Sequence, residues 1–352
     1  MSQYQDNNNN LNKEKIKDEE IDEFERSLNS TSLVDVARDI KNSLHGGETK
    51  IVNGDKILLI LTDGLGWNVF HETGLQECQK IRSVFPTITV TVMTTLLTAK
   101  SPGEHGILGW KVYDKRRGKV VDLLSAIRNG ETPEISMPPS YLRGEESVFI
   151  TPLSGSSKRL FSTLVGAHVR NYFTPYDSLS VLRQSLPEKR FAFFYLPYVD
   201  TVSHHYGPSS PETAETVREV SKIAKKAMEI GKSNGFTVVL TSDHGQIDVE
   251  KNVDISRDQE ILDNIEVPPF GDSRNLMIIS RHDVSETFKK YETYIFGKET
   301  LSKYAGGNRV PDYAVVPKGR TTLNYWIDDS MDYKGNHGGI SKDEMEIPLC
   351  VT

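Results

Sequence analysis

The stretch KILLILTDG, residues 56–64, and its later counterpart FTVVLTSDHG, residues 236–245, decide the fold. Each is an apolar run of strand length that ends in polar residues beside a glycine. A third run, RFAFFYLPYVD, covers residues 190–200. Continuous apolar runs of this kind are typical of strands that are buried on both faces of a parallel sheet.

The segment between the last two runs has the sequence of a helix. SSPETAETVREVSKIAKKAMEIGKSNG, residues 209–235, begins with a serine cap and Pro211 and ends at Gly235, as helices do. A strand, a helix and a second strand form a right-handed crossover. The predicted fold class is therefore α/β, a three-layer α/β/α sandwich around a mainly parallel central sheet.

The remaining segments divide the chain. Residues 1–30 are polar, and we expect a disordered tail, with a solvated helix in its charged second half as the alternative. The folded domain is predicted to span residues 31–352, with an inserted cap or side lobe at about 254–324. Within that tract, RNLMIIS at 274–280 is strand-like, and VSETFKKYETYIF at 284–296 is interpreted as a short helix.

Charge and composition restrict the partners. The chain has 42 basic and 49 acidic residues, a net charge of −7, which disfavours binding to extended nucleic acid. No run approaches the roughly 20 apolar residues that span a bilayer, so no membrane partner is expected. Cys78 and Cys350 lack the spacing of a disulfide framework or a zinc ribbon. A cytoplasmic protein is predicted, and its oligomeric state cannot be inferred from sequence.

Polar residues follow the predicted strands. Asp63, Asp200 and the pair Asp243 and His244 stand at or near strand ends, which meet at one edge of a parallel sheet. His204 lies four residues after Asp200, which would put both on one helical face. Turn-forming aspartates and a simple Asp–His pair remain the alternatives.

His337 lies in GNHGG, where neighbouring glycines permit a close approach of the backbone. Together with the strand-end residues it offers imidazole nitrogens and carboxylate oxygens, which suit a divalent metal ion. Zinc is the preferred metal, and manganese or iron would also accept these ligands.

The segment FPTITVTVMTTLLTAKSPGEHGILGW, residues 85–110, is rich in threonine. One interpretation is a β-branched strand. The other is a loop that ends at Pro86, followed by a helix that runs to about Thr98 with Thr89 at its N-terminus. Such an end favours bound anions.

The order of these residues resembles the type I phosphodiesterase and nucleotide pyrophosphatase branch of the alkaline phosphatase superfamily, from about residue 56 to 351. The resemblance implies two metal sites about 4 Å apart, as in other two-metal hydrolases. One would be held by Asp200, His204 and His337, and the other by Asp63, Asp243 and His244. Thr89 would lie between them, contact the metals, and form a phospho-threonine intermediate. His205 is interpreted as a surface or outer residue.

Two positions depart from that family. Val90 stands where an aromatic residue stacks on the base, and Trp110 stands where an asparagine contacts phosphate. Trp110 and Arg274 are the candidate substrate-binding residues. The predicted substrate is a small phosphate ester, cleaved as a phosphodiester or pyrophosphate. A phosphomonoesterase or phosphonate hydrolase using the same site is the first alternative, and a catalytically silent metal-binding protein is the second.

Overall fold

The structure, a computed structural model, describes residues 19–129, 138–153, 168–326 and 332–352. The strands in this part of the chain are β1 Ile57–Thr62, β2 Gln79–Arg82, β3 Lys111–Asp114, β4 Lys119–Asp122, β5 Ser147–Pro152, β6 His168–Tyr172, β7 Phe191–Leu196, β8 Thr237–Thr241, β9 Ile247–Asp248, β10 Lys251–Asp254, β11 Phe270–Asp272, β12 Asn275–Ile278, β13 Thr293–Gly297, β14 Tyr313–Pro317, β15 Thr321–Asn324, β16 Gly335–Asn336 and β17 Glu346–Val351.

The helices over the same ranges are α1 19–27, α2 Leu33–His45, α3 Thr89–Thr98, α4 Pro102–His105, α5 Leu123–Arg128, α6 Ser178–Ser185, α7 Tyr198–Tyr206, α8 Pro211–Ser233, α9 Gln259–Asn264, α10 Ser285–Lys289, α11 Lys298–Ala305 and α12 Lys342–Met345. A 3-10 helix covers Phe70–Thr73.

Among the described residues, the central sheet has seven strands in the order β2-β17-β8-β1-β7-β5-β6. The strands β8, β1, β7, β5 and β6 are parallel to one another, and β17 runs antiparallel between β8 and β2. The predicted fold class, α/β with a mainly parallel sheet, is confirmed. All three apolar runs that predicted it are strands of this sheet.

Both faces of the central sheet are buried, which explains why its strands are apolar without alternation. In β1, Ile57, Leu59 and Leu61 pack in the core that contains α2 and α3. Leu58 and Ile60 face the opposite core, which contains residues of α6 and α8. Each such side chain contributes about 1.5–3 kcal/mol on burial.

The helix α8 begins and ends where the sequence predicts. The Ser210 hydroxyl accepts a hydrogen bond from the Thr213 backbone N–H at 3.1 Å, and Pro211 occupies the first turn. Gly235 follows the end with a left-handed φ of 75°. This crossover joins β7 to β8 and thereby brings two of the polar strand ends to the same edge.

A second sheet of six antiparallel strands, again counted over the described ranges, has the order β13-β14-β12-β11-β3-β4. Its strands β3 and β4 come from residues 111–122, outside the tract at 254–324 that was predicted as an insertion. The helix interpreted at 284–296 covers only Ser285–Lys289, and the remainder enters β13.

The N-terminal segment is ordered earlier than expected. Phe24 of α1 is only 2% exposed and lies with its ring centroid 5.6 Å from that of Phe85 and 4.9 Å from that of Tyr304. The prediction of a disordered tail up to residue 30 is therefore wrong for residues 19–30. The alternative of a helix is correct for residues 19–27, although this helix packs on the domain through Phe24 and is not fully solvated. Residues 1–18 of that tail lie outside the described residues.

Cys78 and Cys350 form a disulfide across 272 residues of sequence. The sequence did not indicate this pair, which forms because β17 brings Cys350 beside the segment that leads into β2. A single long-range pair leaves no spacing signal in the sequence. The predicted cytoplasmic location is a separate matter and stays a prediction.

Candidate active site

Three strand ends supply five of the candidate site residues. Asp63 follows β1, Asp200 and His204 lie on the helix α7 that follows β7, and Asp243 and His244 follow β8. Gly64 permits the first two segments to meet, because a Cβ atom there would lie 2.7 Å from the Asp200 Cα. The Asp200 backbone N–H donates to the Asp63 carbonyl at 3.0 Å.

The helix α7 presents Asp200 and His204 on one face. The Asp200 Oδ1 lies 3.2 Å from the His204 Nε2, at the predicted spacing of four residues. The neighbouring His205 is exposed, on another face of the helix. His337, which follows β16, brings its Nε2 to 3.6 Å from the same Asp200 oxygen.

His244 lies at the centre of the cluster. Its Nε2 is 3.3 Å from the Asp243 Oδ2 and 3.6 Å from the Asp63 Oδ1. Its ring stacks on that of His337 with centroids 3.5 Å apart. The structure therefore brings together all six predicted metal ligands, from segments separated by up to 274 residues of sequence (337 − 63).

Each of the three histidines has its Nδ1 beside a backbone carbonyl. The acceptors are the oxygens of Gly335, at 2.8 Å from His204, of Gly245, at 3.2 Å from His244, and of Thr87, at 2.8 Å from His337. A carbonyl can only accept, so Nδ1 carries the proton in each ring. The lone pair of Nε2 is then available to a metal ion in His244 and His337. Burial opposes protonation of His204, but the negative charge of Asp200 raises its pKa, so a metal ion there would displace a proton.

Two carboxylates have one oxygen held and one oxygen without a hydrogen bond. The Asp243 Oδ1 accepts the backbone N–H groups of Gly64 and His244, both at 3.0 Å, and the Tyr195 hydroxyl donates to the Asp63 Oδ2. The Asp63 Oδ1 and the Asp243 Oδ2 are buried and accept no hydrogen bond from the described residues. Both lie near the His244 Nε2, where a cation would complete their coordination.

The electrostatics of the cluster also fit a cation. Burial, and then the negative charge of Asp243, raise the pKa of Asp63 well above its ordinary value. Burial lowers the pKa of His244 and of His337 to about 4, so both rings are neutral near pH 7. Neutral imidazoles beside crowded carboxylates are the protonation states that a divalent metal requires.

Two groups of side chains have ligand atoms within 4.8 Å of one another. Asp63, Asp243 and His244 form one group, as predicted, and Asp200, His244 and His337 form the other. The second group contains His244 where the prediction has His204. His204 instead reaches this group through its contact with Asp200, so the assignment of His204 as a ligand stays a prediction.

Thr89 is the first residue of α3, as the second interpretation of the threonine-rich segment predicts. Its Oγ1 lies 3.1 Å from the His244 Nε2, next to both ligand groups. The residue before the helix, Ile88, gives no side-chain cap. The positive end of α3 is therefore directed at the place where an anion would meet Thr89.

An apolar wall adjoins Thr89. Val90 packs with Ile88, Ile107 and Leu123, and the half-buried Trp110 lies against this cluster. The proximity is compatible with Trp110 as a substrate contact, which stays a prediction. A small pocket that opens to solvent is lined in part by Asp272 and Ser273. The Ser273 Oγ accepts from Asn336, the residue before His337, at 3.1 Å.

Arg274 does not have the predicted role. Its side chain is fully buried, and its Nε and Nη2 donate to the two carboxylate oxygens of Glu344 at 3.0 and 2.8 Å. Its Nη1 donates to three backbone carbonyls, those of Pro317, Gly319 and Thr321. The prediction that Arg274 contacts substrate is corrected, because the guanidinium is fully buried and each of its nitrogens already donates within the protein.

Two functional candidates were missed from the sequence. Tyr195 holds Asp63, and the Gln246 Nε2 donates to the Asp200 Oδ1 at 2.6 Å. Gln246 directly follows SDHG in sequence, which is a signal that was available. Tyr195 lies within an apolar strand, where nothing distinguishes it from a core residue.

A mainly parallel sheet with carboxylates and histidines gathered at its strand ends is typical of metal-dependent α/β hydrolases. A sequence model of the type I phosphodiesterase / nucleotide pyrophosphatase family matches residues 57–131 and 129–340. The chain therefore belongs to that family, whose members are hydrolytic enzymes.

Individual relatives are distant. Mouse ectonucleotide pyrophosphatase/phosphodiesterase family member 1 is 25% identical over 275 residues, which are 70% of this chain and 29% of the relative. An inactive threonine-to-alanine variant of murine ectonucleotide pyrophosphatase / phosphodiesterase 5, in complex with AMP, is 16% identical with a TM-score of 0.58, over 84% of this chain and 87% of that one. Phosphonoacetate hydrolase from Sinorhizobium meliloti 1021, in complex with phosphonoformate, is 16% identical with a TM-score of 0.61, over 84% and 89%.

The chain thus spans less than a third of the length of the mouse relative, and the two solved structures support the fold alone. Over the described ranges, none of the helices combines the length and the apolar character that crossing a membrane requires.

Proposed function

We propose that the chain is a two-metal hydrolase that cleaves phosphodiester or pyrophosphate bonds through a covalent intermediate on Thr89. The observation that carries the proposal is the environment of the Thr89 hydroxyl. It lies 3.1 Å from the His244 Nε2, the atom that both ligand groups share. A nucleophile at this place can be activated and its product stabilised by the same set of ligands.

The donor set indicates the metal. The three histidine Nε2 atoms and the three aspartates offer nitrogen and carboxylate ligands, which zinc accepts. Asp63, Asp243 and His244 would hold one ion, and Asp200, His204 and His337 the other. When bound, the two cations would lower the pKa of the Thr89 hydroxyl and offset negative charge on the phosphoryl oxygens.

The residues then act in two steps. The Thr89 Oγ attacks phosphorus, the bond from phosphorus to the leaving oxygen breaks, and the proton released by the threonine departs with that oxygen or passes to solvent. Water next attacks phosphorus, the bond to the Thr89 Oγ breaks, and the threonine regains a proton. The uncapped N-terminus of α3 favours the negative charge that develops in both steps.

The surroundings of Thr89 support a substrate with an apolar or aromatic ester group rather than a particular nucleotide. Val90 gives no ring on which a base could stack, whereas Trp110 offers a large surface within the same cluster. The related structures hold AMP and phosphonoformate, so small phosphate and phosphonate compounds belong in a test.

The test compares bis-p-nitrophenyl phosphate, p-nitrophenyl phosphate and phosphonoacetate with zinc-loaded protein. We expect the highest kcat/KM for the diester, loss of turnover on chelation, and recovery when zinc is added back. A preference for the monoester or the phosphonate would favour the first alternative. Turnover that survives complete metal removal would contradict the proposal, and two bound metals without turnover would favour a silent metal-binding protein.

A further inference from the structure

Tyr195 makes a contact that the proposed reaction does not use. It is the fifth residue of β7, is only 8% exposed, and directs its hydroxyl at the Oδ2 of Asp63, which is 2% exposed. The tyrosine O–H is the donor in this contact, because a carboxylate that binds a metal ion can only accept.

Because of this contact, one oxygen of Asp63 is held by a hydrogen bond and the other is left for a metal ion. Oδ2 is held by Tyr195, while Oδ1 lies 3.6 Å from the His244 Nε2 and accepts no hydrogen bond from the described residues. Asp243 shows the same division by different means, with Oδ1 held by two backbone N–H groups. The Ser242 hydroxyl adds a hydrogen bond to the Asp243 Oδ1 at 3.3 Å, whereas the Asp63 Oδ2 is oriented by the side chain of Tyr195.

We propose that Tyr195 is a positioning residue that fixes Asp63 with Oδ1 toward Asp243 and His244 and so sets the metal affinity of this half of the site. The inference rests on the proposed two-metal site. Without the hydroxyl, the carboxylate can rotate and loses a hydrogen bond that offsets its burial. Loss of such an outer hydrogen bond typically lowers metal affinity 10- to 100-fold.

Tyr172 provides a matched control. It is fully buried on β6, and its hydroxyl donates to the backbone carbonyl of Tyr195 at 2.7 Å. Tyr172→Phe removes a buried tyrosine hydroxyl and its hydrogen bond, as Tyr195→Phe does, but it removes no direct contact with a metal ligand. A generic loss of stability therefore affects both variants, whereas a positioning effect affects only Tyr195→Phe.

The experiment titrates zinc into each metal-stripped full-length protein in competition with a chelating indicator. We expect Tyr195→Phe to bind one of two zinc ions about 10- to 100-fold more weakly, while Tyr172→Phe matches the wild type. At saturating zinc the kcat of Tyr195→Phe should recover with an unchanged KM. Thermal unfolding of both metal-free variants checks that their stabilities fall alike.

Wild-type zinc affinity in Tyr195→Phe would overturn the inference, as would an equal loss in Tyr172→Phe or a wild type that binds no zinc. Because the titration contains no substrate, it is independent of turnover. If Tyr195→Phe binds zinc more weakly but the wild type cleaves no phosphate ester, this inference is supported and the proposed function is contradicted.

Discussion

At the scale of single residues, the buried ion pair of Arg274 and Glu344 lies directly behind the loop that carries His337. Besides its bidentate contact with Arg274, Glu344 accepts the backbone N–H of Gly339 at 2.8 Å. A Cβ atom on Gly338 would lie 3.2 Å from the Arg274 Cβ. The pair therefore supports the backbone that follows His337. Arg274 thus has a structural role, whereas the sequence analysis predicted that it binds substrate.

The pair gives a pH-dependent contribution to stability. Burial opposes ionisation, but the charge and hydrogen bonds of Arg274 hold the pKa of Glu344 below its ordinary value. A carboxyl group with a lowered folded-state pKa stabilises the protein above its unfolded pKa of about 4.3. This contribution is lost as the pH falls through the folded-state pKa.

We therefore predict that Glu344→Gln lowers the free energy of unfolding by about 3 kcal/mol at pH 7. The difference from the wild type should shrink as the pH falls from 5 to 3. Urea unfolding at several pH values measures it, with the exposed Glu286→Gln as a control that should stay near the wild type. A difference that is the same at pH 7 and pH 3 would contradict this role.

At the scale of elements, α7 and α3 position the chemistry, and each was one of the interpretations that the sequence left open. The spacing of Asp200 and His204 corresponds to one helical turn, and a helix N-terminus at Thr89 follows from the loop that ends at Pro86. The elements that were missed depend on distant partners. Part of the segment that was interpreted as helix forms the strand β13. Its conformation is decided by pairing with the distant strand β14.

The helix α7 permits a test on adjacent residues. We predict that His204→Ala lowers the affinity for one of two zinc ions at least tenfold, because its Nε2 lies on the face of Asp200. His205→Ala should leave zinc binding unchanged, since a one-residue step on a helix turns a side chain about 100° away. The same metal competition measures both, and equal losses in the two variants would refute the predicted face.

At the scale of the whole molecule, the sequence predicted the central sheet and the gathering of ligands at its edge, because parallel strands end on one side. It could not predict which separate segments pair. The second sheet joins residues 111–122 to residues 270–317, and the disulfide joins Cys78 to Cys350. Neither association leaves a local pattern in the sequence, because each forms only when distant segments meet in the folded protein. We keep a cytoplasmic location as a proposal, which cell fractionation can test, although disulfides persist mainly in oxidising compartments.

The central claim is that Thr89 forms a covalent intermediate at a two-metal site. Mass spectrometry of acid-quenched enzyme tests it most directly, after turnover of bis-p-nitrophenyl phosphate, by mapping the modified peptide. Thr89→Ala should lose turnover by about 1,000-fold or more with two metals still bound. Thr91→Ala, which removes another buried hydroxyl of α3, should remain active.

We predict one nitrophenyl-phosphoryl group on Thr89 in the wild type and none in Thr89→Ala. Modification at another residue, or undiminished turnover in Thr89→Ala, would contradict the claim.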